Sequence, residues 1–445
     1  MKKYEAYKNS GIEWIGEIPE NWSVVPLKHY LSLKGRIGWN GLKSEEFQEK
    51  SYAYLVTGQD FNSDVVNWEK CYQINKERYD EDPFIQLENG DLLVTKDGTI
   101  GKVAKVVNLD KPACLNSGIF VVKQTKGVFE QNYLYWVLVS NQLKEFVGFN
   151  STGSTIAHLY QNVFENMPLT VPSLVEQKTI ASYLDYKVGQ IDASISAINT
   201  QIDDLKAYRQ SIISEAVTKG LDPHAPMKDS GIEWIGEIPE DWDITKLGWA
   251  YPNMGSGTTP DSNNLQYYVE DGYNWLQTGD LTDGAITSTS KHLSQIAVDE
   301  KRMKFYPIGS IVIAMYGATI GKVGYLEIET STNQACCVLP PQESMDNRFM
   351  FYMMQSSKTT LISKSVGGGQ PNISQAIIQE HRIPVPSVDE QHAIASYLDI
   401  KTSKIDATIA SLESQRDDLN ALKQSVISEA VTGKIDVRDW TDNNV

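Results

Sequence analysis

Ser10-Gly-Ile-Glu-Trp-Ile-Gly-Glu-Ile-Pro-Glu-Asn-Trp22 returns as residues Ser230–Trp242 with one change, Asp241 in place of Asn21. A block of this length repeated at an offset of 220 means that the chain carries two copies of one structural unit. Working outward, three further blocks repeat at an offset of 214. Val171-Pro-Ser-Leu-Val-Glu-Gln177 returns as Val385-Pro-Ser-Val-Asp-Glu-Gln391. Ile180-Ala-Ser-Tyr-Leu-Asp185 returns unchanged as Ile394–Asp399, and Ser214-Glu-Ala-Val-Thr218 as Ser428–Thr432. The offsets differ because the stretches between the blocks differ in length by about six residues.

Within those stretches, residues 23–170 and 243–384, agreement is scattered. Thr57-Gly58 matches Thr278-Gly279, and Thr99-Ile-Gly-Lys-Val103 matches Thr319–Val323. A frame kept close around inserts that have diverged points to one job for the frame and two different targets for the inserts.

The frame continues into heptads. After Pro172 and Pro386, with Ser173 and Ser387 as candidate caps, apolar residues recur at alternating spacings of four and three. One seam runs through Leu184, Ile191, Ile198, Leu205 and Ile212, the other through Leu398, Ile405, Leu412, Leu419 and Val426. Such narrow seams predict two coiled-coil helices. The first, from about Glu176 to Lys219, would be roughly 65 Å long at about 1.5 Å per residue. Gly220 and Gly433 suit the helix exits. Each seam needs cover, and the obvious cover is the other helix. Halves related by a pseudo-twofold axis would pair them antiparallel. Arg209, Arg416 and Lys423 interrupt the seams, either snorkelling at the edge or controlling register.

The inserts read as β-rich mixed domains. Asp91–Thr95, Val103–Val107, Ile119–Lys123 and Ser310–Ala314 have strand character. Tyr133–Val139 and Phe349–Met354 are short helices or buried strands; periodicity leaves both open. The expected fold is therefore α+β, with two β-rich mixed domains in pseudo-twofold arrangement, separated by two long helices forming an antiparallel coiled coil. Its segments are 1–172, 173–220, 221–386, and 387–445.

At 41% hydrophobic and 10% aromatic residues, the chain can build a sizeable core. It has no apolar run near 18 residues for a membrane helix and no apolar signal core at its start. Cys71, Cys114, Cys336 and Cys337 show neither disulfide nor zinc spacing. A cytoplasmic location is expected. The net charge of −17 argues at first against nucleic acid. Its distribution qualifies that. Residues 23–172 carry 15 basic and 17 acidic side chains, and residues 243–386 carry 10 and 13. The excess acid lies in the frame. Near-neutral inserts can read base edges, but partners would have to supply most phosphate contacts.

Three loop families recur in both inserts. The first is Lys34-Gly-Arg36 through Asn40-Gly41, with Gly255-Ser-Gly-Thr-Thr-Pro260. The second is Lys96–Lys102, with Tyr316–Lys322. The third is Gly153–His158, with Gly367–Asn372. Small residues let a backbone approach a duplex, and the polar side chains match base edges and phosphates. The candidate DNA contacts are Lys34, Arg36, Lys96, Lys102, Thr155 and His158 in the first insert. In the second they are Thr258, Thr259, Tyr316, Lys322, Gln370 and Asn372. Gln and Asn suit adenine edges, while Thr suits a thymine methyl or a phosphate.

No catalytic motif emerges. Gly317–Lys322 is one residue short of a P-loop, and Val323 stands where a Ser or Thr would hold magnesium. No Asn-Pro-Pro-aromatic motif, histidine metal spacing or Gly-x-Ser-x-Gly elbow is present. Glu13, Glu17 and Glu20, beside Trp14 and Trp22, read as a structural motif. No metal or catalytic residue is expected on this chain.

The duplicated Ser-Gly-Ile-Glu-Trp-Ile-Gly-Glu-Ile-Pro-Glu-x-Trp block and the Pro-Ser-x-x-Glu-Gln helix start closely resemble type I restriction–modification specificity subunits, from about Tyr4 to Asp436. The resemblance implies a non-catalytic subunit of a phage-defence complex. It implies two target-recognition domains that each read half of a bipartite, asymmetric site in double-stranded DNA. It also implies two adenine-methylating modification subunits, with restriction/translocase subunits able to join. S-adenosylmethionine, ATP and magnesium would then sit on those partners. The alternatives are a specificity subunit of a methylation-only or type II-like complex, and a stand-alone nuclease or methyltransferase, which the missing motifs disfavour.

Overall fold

Leu92–Thr95 and Ile119–Gln124 form the middle of a six-stranded sheet that is buried on both faces. Leu92, Val94, Phe120 and Val122 point into one core, and Leu93, Ile119 and Val121 into another. Period-two alternation thus delivers apolar side chains to two layers, and the strands read as unbroken apolar runs. In the computed structural model the described residues are 2–36, 42–62, 64–150, 158–365 and 372–441.

The chain divides into two units, Met1–Asn199 with Ser414–Val445, and Thr200–Glu413. The four sequential segments expected from the sequence are thus grouped so that each unit takes part of both long helices. In the first unit the sheet order is Leu31–Lys34, Ile119–Gln124, Leu92–Thr95, Val103–Lys105, Val65–Val66, Phe61–Asn62. A three-stranded sheet, Ala113–Leu115, Ala53–Val56, Tyr72–Ile74, accompanies it. Both contain parallel and antiparallel pairs. The second unit has two five-stranded mixed sheets, one centred on Ile311–Ala314, the other on Tyr273–Leu276. Each insert leaves and rejoins the frame through one antiparallel pair: Ser23–Pro26 with Pro168–Val171, and Asp243–Lys246 with Arg382–Val385.

The segments that periodicity left open are helices. α1 spans Gln131–Val139, and its N-cap Glu130 accepts from Tyr133 N at 2.7 Å. The long helix α2 spans Leu174–Lys219, α3 spans Asn347–Ser363, and the second long helix α4 spans Val388–Val431. Asp346 caps α3 as Glu130 caps α1. Ser173 and Ser387 cap the long helices as expected, each Oγ accepting at 3.3 Å from the N–H three residues on. Gly220 and Gly433 end them in the left-handed region, at φ +75° and +69°.

The duplicated Glu-Gln pair has a mechanical role. Gln177 ties the start of α2 to the start of α1 by accepting from Glu130 N at 2.7 Å, and Gln391 does the same with Asp346 N at 2.8 Å. Glu176, 5% exposed, accepts from Tyr4 Oη at 2.7 Å and Trp22 Nε1 at 3.1 Å. Glu390 accepts from Trp242 Nε1 at 3.0 Å. Glu176→Ala should therefore cost about 2 kcal/mol or more, since it strands two buried donors, and Glu390→Ala about 1 kcal/mol. Urea unfolding of the two variants checks the difference; equal losses would show that the Tyr4 bond contributes nothing.

Antiparallel helix contacts occur within each unit. In the first, Ile180, Leu184 and Val188 of α2 share a core with Val426, Ile427 and Val431 of α4. In the second, Arg209 Nε of α2 donates to Asp406 of α4 at 2.9 Å. Lys423 likewise reaches Asp192 at 2.6 Å in the first unit. Two of the three cations that interrupt the seams thus pair with carboxylates of the opposite helix and pin its register; Arg416 lies 3.5 Å from its neighbour Asp417. Seam burial is uneven. Leu184, Ile212, Leu398, Ile405 and Val426 are buried, whereas Ile191, Ile198, Leu205, Leu412 and Leu419 are half-buried. Among the described residues no helix is long and apolar enough to cross a membrane.

Candidate nucleic-acid interface

In the first unit the second and third loops meet. Asp97 and His158 form an antiparallel bridge, Leu159 N donates to Lys96 O at 3.0 Å, and His158 Nδ1 lies against the Asp97 carboxylate. The second unit repeats the junction with other side chains. Tyr316 bridges Asn372, and Ile373 N donates to Met315 O at 2.7 Å. One backbone connection therefore presents Asp and His in one unit and Tyr and Asn in the other.

The first loop reaches the same region by packing. Arg36 Nε donates to Leu115 O at 3.0 Å, next to Asn116. In the second unit a Cβ on Gly257 would lie 1.8 Å from Thr332 O, and Thr259 Oγ1 accepts from Gln334 N at 3.4 Å. Thr258 O takes the Trp275 indole at 3.2 Å.

Placement separates the sequence candidates. Arg36 is corrected: at 1% exposure, bound to Leu115 O and 3.5 Å from Cys114 Sγ, it anchors the loop and cannot reach a base edge. Lys96 is half-buried over the Phe120 ring, 4.9 Å from its centroid, and burial lowers its pKa. Lys34 is exposed, its ammonium 5.5 Å from the Phe84 ring. Lys102, Thr259 and Asn372 are exposed, Tyr316 is 38% exposed, and His158, Thr258 and Lys322 are half-buried. Thr155, Gln370 and Asn40-Gly41 lie outside the described residues.

The first unit gathers more than the loops. A cavity of about 530 Å³ joins Thr57, Gly58 and Gln59 to Asp97, Lys102 and Asn116. Tyr72 and Phe47, with ring centroids 5.5 Å apart, also line it. Sequence reasoning missed Gln59, Asn116 and Tyr72. The signal for the first was the recurrence of Thr57-Gly58. The turn is built alike in both units, Thr57 N donating to Asp60 at 2.6 Å and Gln277 N to Asp280 at 2.8 Å, but it pairs Thr57 with Gln277, so the two Thr-Gly dipeptides matched in the sequence lie one residue out of register. The Thr-Ile-Gly-Lys-Val recurrence is also partly structural. Gly101 and Gly321 have φ +82° and +75°, and their N–H groups close matching turns on Thr95 O and Ala314 O. Among the described residues no group of His, Cys, Asp and Glu could hold a metal, and the four cysteines are free and buried. The cavity thus gathers hydrogen-bond donors, acceptors and an exposed lysine from connections at strand ends, groups of the kind that match base edges and phosphates.

Known proteins point the same way. The model of the type I restriction modification DNA specificity domain matches residues 19–204 and again 239–418. The type I restriction enzyme MjaVIII specificity subunit of Methanocaldococcus jannaschii is 28% identical over 436 residues, covering 95% of each chain. The type I restriction enzyme EcoBI specificity subunit of Escherichia coli is 24% identical over 369 residues, 80% of this chain and 75% of that one. One solved chain, from work on assembly and conformational transition of the type I R-M system, shares the fold. It aligns with TM-score 0.69 at 17% identity, over 94% of this chain and 99% of its own. The family model matches once in each half of the duplicated chain, so the protein belongs to the type I restriction modification DNA specificity family and carries that family's domain twice.

Proposed function

We propose that the chain reads a bipartite, asymmetric site in double-stranded DNA, one half with each unit, and recruits adenine-methylating modification subunits, with restriction subunits able to join. S-adenosylmethionine, ATP and magnesium act on those partners in this reading, and the chain itself contributes recognition. The observation that carries it is the shared junction of the second and third loops, presenting Asp97 and His158 in one unit and Tyr316 and Asn372 in the other. One scaffold with two chemistries suits two different half-sites.

The test is exchange of residues 23–170 for the insert of another family member, followed by sequencing of the methylated motif in cells that carry the modification partner. One half of the motif should change; the other half and the spacer should stay. The first insert enters and leaves the frame through one strand pair and packs on the helix segments of its own unit, so an insert from the same family, cut at these strands, can be exchanged with residues 243–384 unchanged. A change in both halves, or in neither, would rule out independent reading. Within the first insert, Lys102→Ala should weaken binding to all duplexes alike and reduce the slope of log K against log salt by about 1. Binding titrations at several salt concentrations measure this; a loss confined to the cognate duplex would mark Lys102 as a base reader instead.

A further inference from the structure

A second cavity in the first unit, about 690 Å³, shares no residue with the reading loops. Glu13 and Trp14 of the duplicated block line it, with Gln142, Glu145 and Phe149 from the helix Asn141–Asn150, and Ser428 and Glu429 near the end of α4. Four of its polar atoms are buried without a hydrogen-bond partner: Trp14 Nε1, both amide atoms of Gln142, and Ser428 Oγ. Gln142 is only 3% exposed. Buried polar groups are normally satisfied, so this concentration calls for a ligand.

The donors and acceptors specify its chemistry. A side-chain amide with both ends free matches one peptide unit, C=O to N–H and N–H to C=O. The indole N–H offers a donor to a further carbonyl, and the serine hydroxyl can act either way. Phe149, 66% exposed and 5.5 Å from the Trp14 ring centroid, provides an apolar shelf. Glu13, Glu145 and Glu429 put three carboxylates on the lining, while the ammonium of its lysine, Lys434, is given to Glu17 O. That charge repels phosphate and favours a cation.

The second unit keeps a cavity of about 650 Å³ at the corresponding place but gives it other chemistry. Ser214, which matches Ser428, bonds Ser356 Oγ at 2.7 Å. Trp234, which matches Trp14, is stacked by His381 at 5.4 Å and 18°. The cavity beside Trp234 balances Lys364 and Arg382 against Glu233 and Glu380. We propose that the first unit's cavity docks one extended, lysine- or arginine-bearing segment of a protein partner, held through its main chain. The asymmetry implies one such segment per subunit, and the inference stands independently of which DNA is read.

The test uses the full chain with ¹⁵N-labelled tryptophan and three blocked peptides. One is acetyl-Gly-Ala-Lys-Leu-Lys-Ala-Gly-amide, the second replaces both lysines by glutamate, and the third is N-methylated at the central leucine. The Trp14 indole resonance, assigned with Trp14→Phe, should shift and saturate with the lysine peptide. The other two should bind at least about tenfold more weakly, the loss expected for one charge or backbone contact. Gln142→Leu should weaken binding about tenfold without lowering Tm, because it removes an unsatisfied amide. Glu145→Lys, on the exposed rim, gives the same readout with no risk to the fold. Four outcomes would overturn the proposal: no shift at millimolar peptide, equal shifts from all three peptides, an equal shift from a short DNA duplex, or a shift that depends on protein concentration alone. The last would make a second copy of this chain the occupant.

Discussion

Ile409→Asp should destabilise the second unit by about 3–5 kcal/mol, whereas Ile198→Asp should cost only about 1–2 kcal/mol. Ile198 belongs to the α2 seam, and Ile409 continues the α4 seam at the same alternating spacing, four residues after Ile405 and three before Leu412, so the sequence pattern predicts a severe loss at each. Their surroundings differ. Ile409 is 9% exposed, so its replacement would bury an unpaired carboxylate; Ile198 is half-buried, so its carboxylate could stay partly hydrated. Arg209 does not rescue the first variant, because it is already committed to Asp406 and Gln355. Urea unfolding and thermal melting of the two variants give the comparison. Equal and small losses would mean that neither seam position is covered in solution.

His381→Met should remove a loss of stability that the unmodified protein suffers in acid, about 3 kcal/mol between neutral pH and pH 4. His381 is fully buried and neither ring nitrogen has a partner. Burial, with Lys364 adding to it, pushes the imidazole pKa down from 6.5 to about 4. Between those values the unfolded chain takes up a proton that the folded chain refuses. The unfolded state binds more protons there, so stability falls as pH falls, and the full loss is reached near the folded pKa. Methionine is the natural replacement. Met167 holds the same place in the first unit, its carbonyl accepting from Leu27 N at 2.9 Å as that of His381 accepts from Leu247 N at 2.8 Å. Sulfur can also lie against Trp234 without a stranded donor. Unfolding free energies at pH 7 and pH 4 decide the matter. An unchanged acid dependence in His381→Met would show that the imidazole is protonated inside the folded unit.

Duplicated blocks and heptads made the architecture legible because they are long, local and periodic. Pro172 with Ser173, and Gly220, mark the ends of α2 through backbone rules that act within a turn, and the structure places them as the residues demand. The role of the Ser10–Trp22 block was legible only as structural. That Trp22 donates to Glu176 links residues 154 positions apart, and no local rule connects them.

What the sequence alone determined is the plan: two copies of a frame, two divergent β-rich inserts and two long helices, because hydrophobic period, caps and repeats are properties of neighbouring residues. What only the tertiary structure decided is which side chains are free to act. Arg36 and Lys102 look alike in a loop written as letters, yet one guanidinium is spent on Leu115 O inside the core while the other residue's ammonium stands in water at the cavity. Gln59 and Asn116 join Asp97 at one site though far apart in the chain. The physical reason is that burial and hydrogen-bond partners are set by contacts between distant segments, and those exist only once the chain has folded.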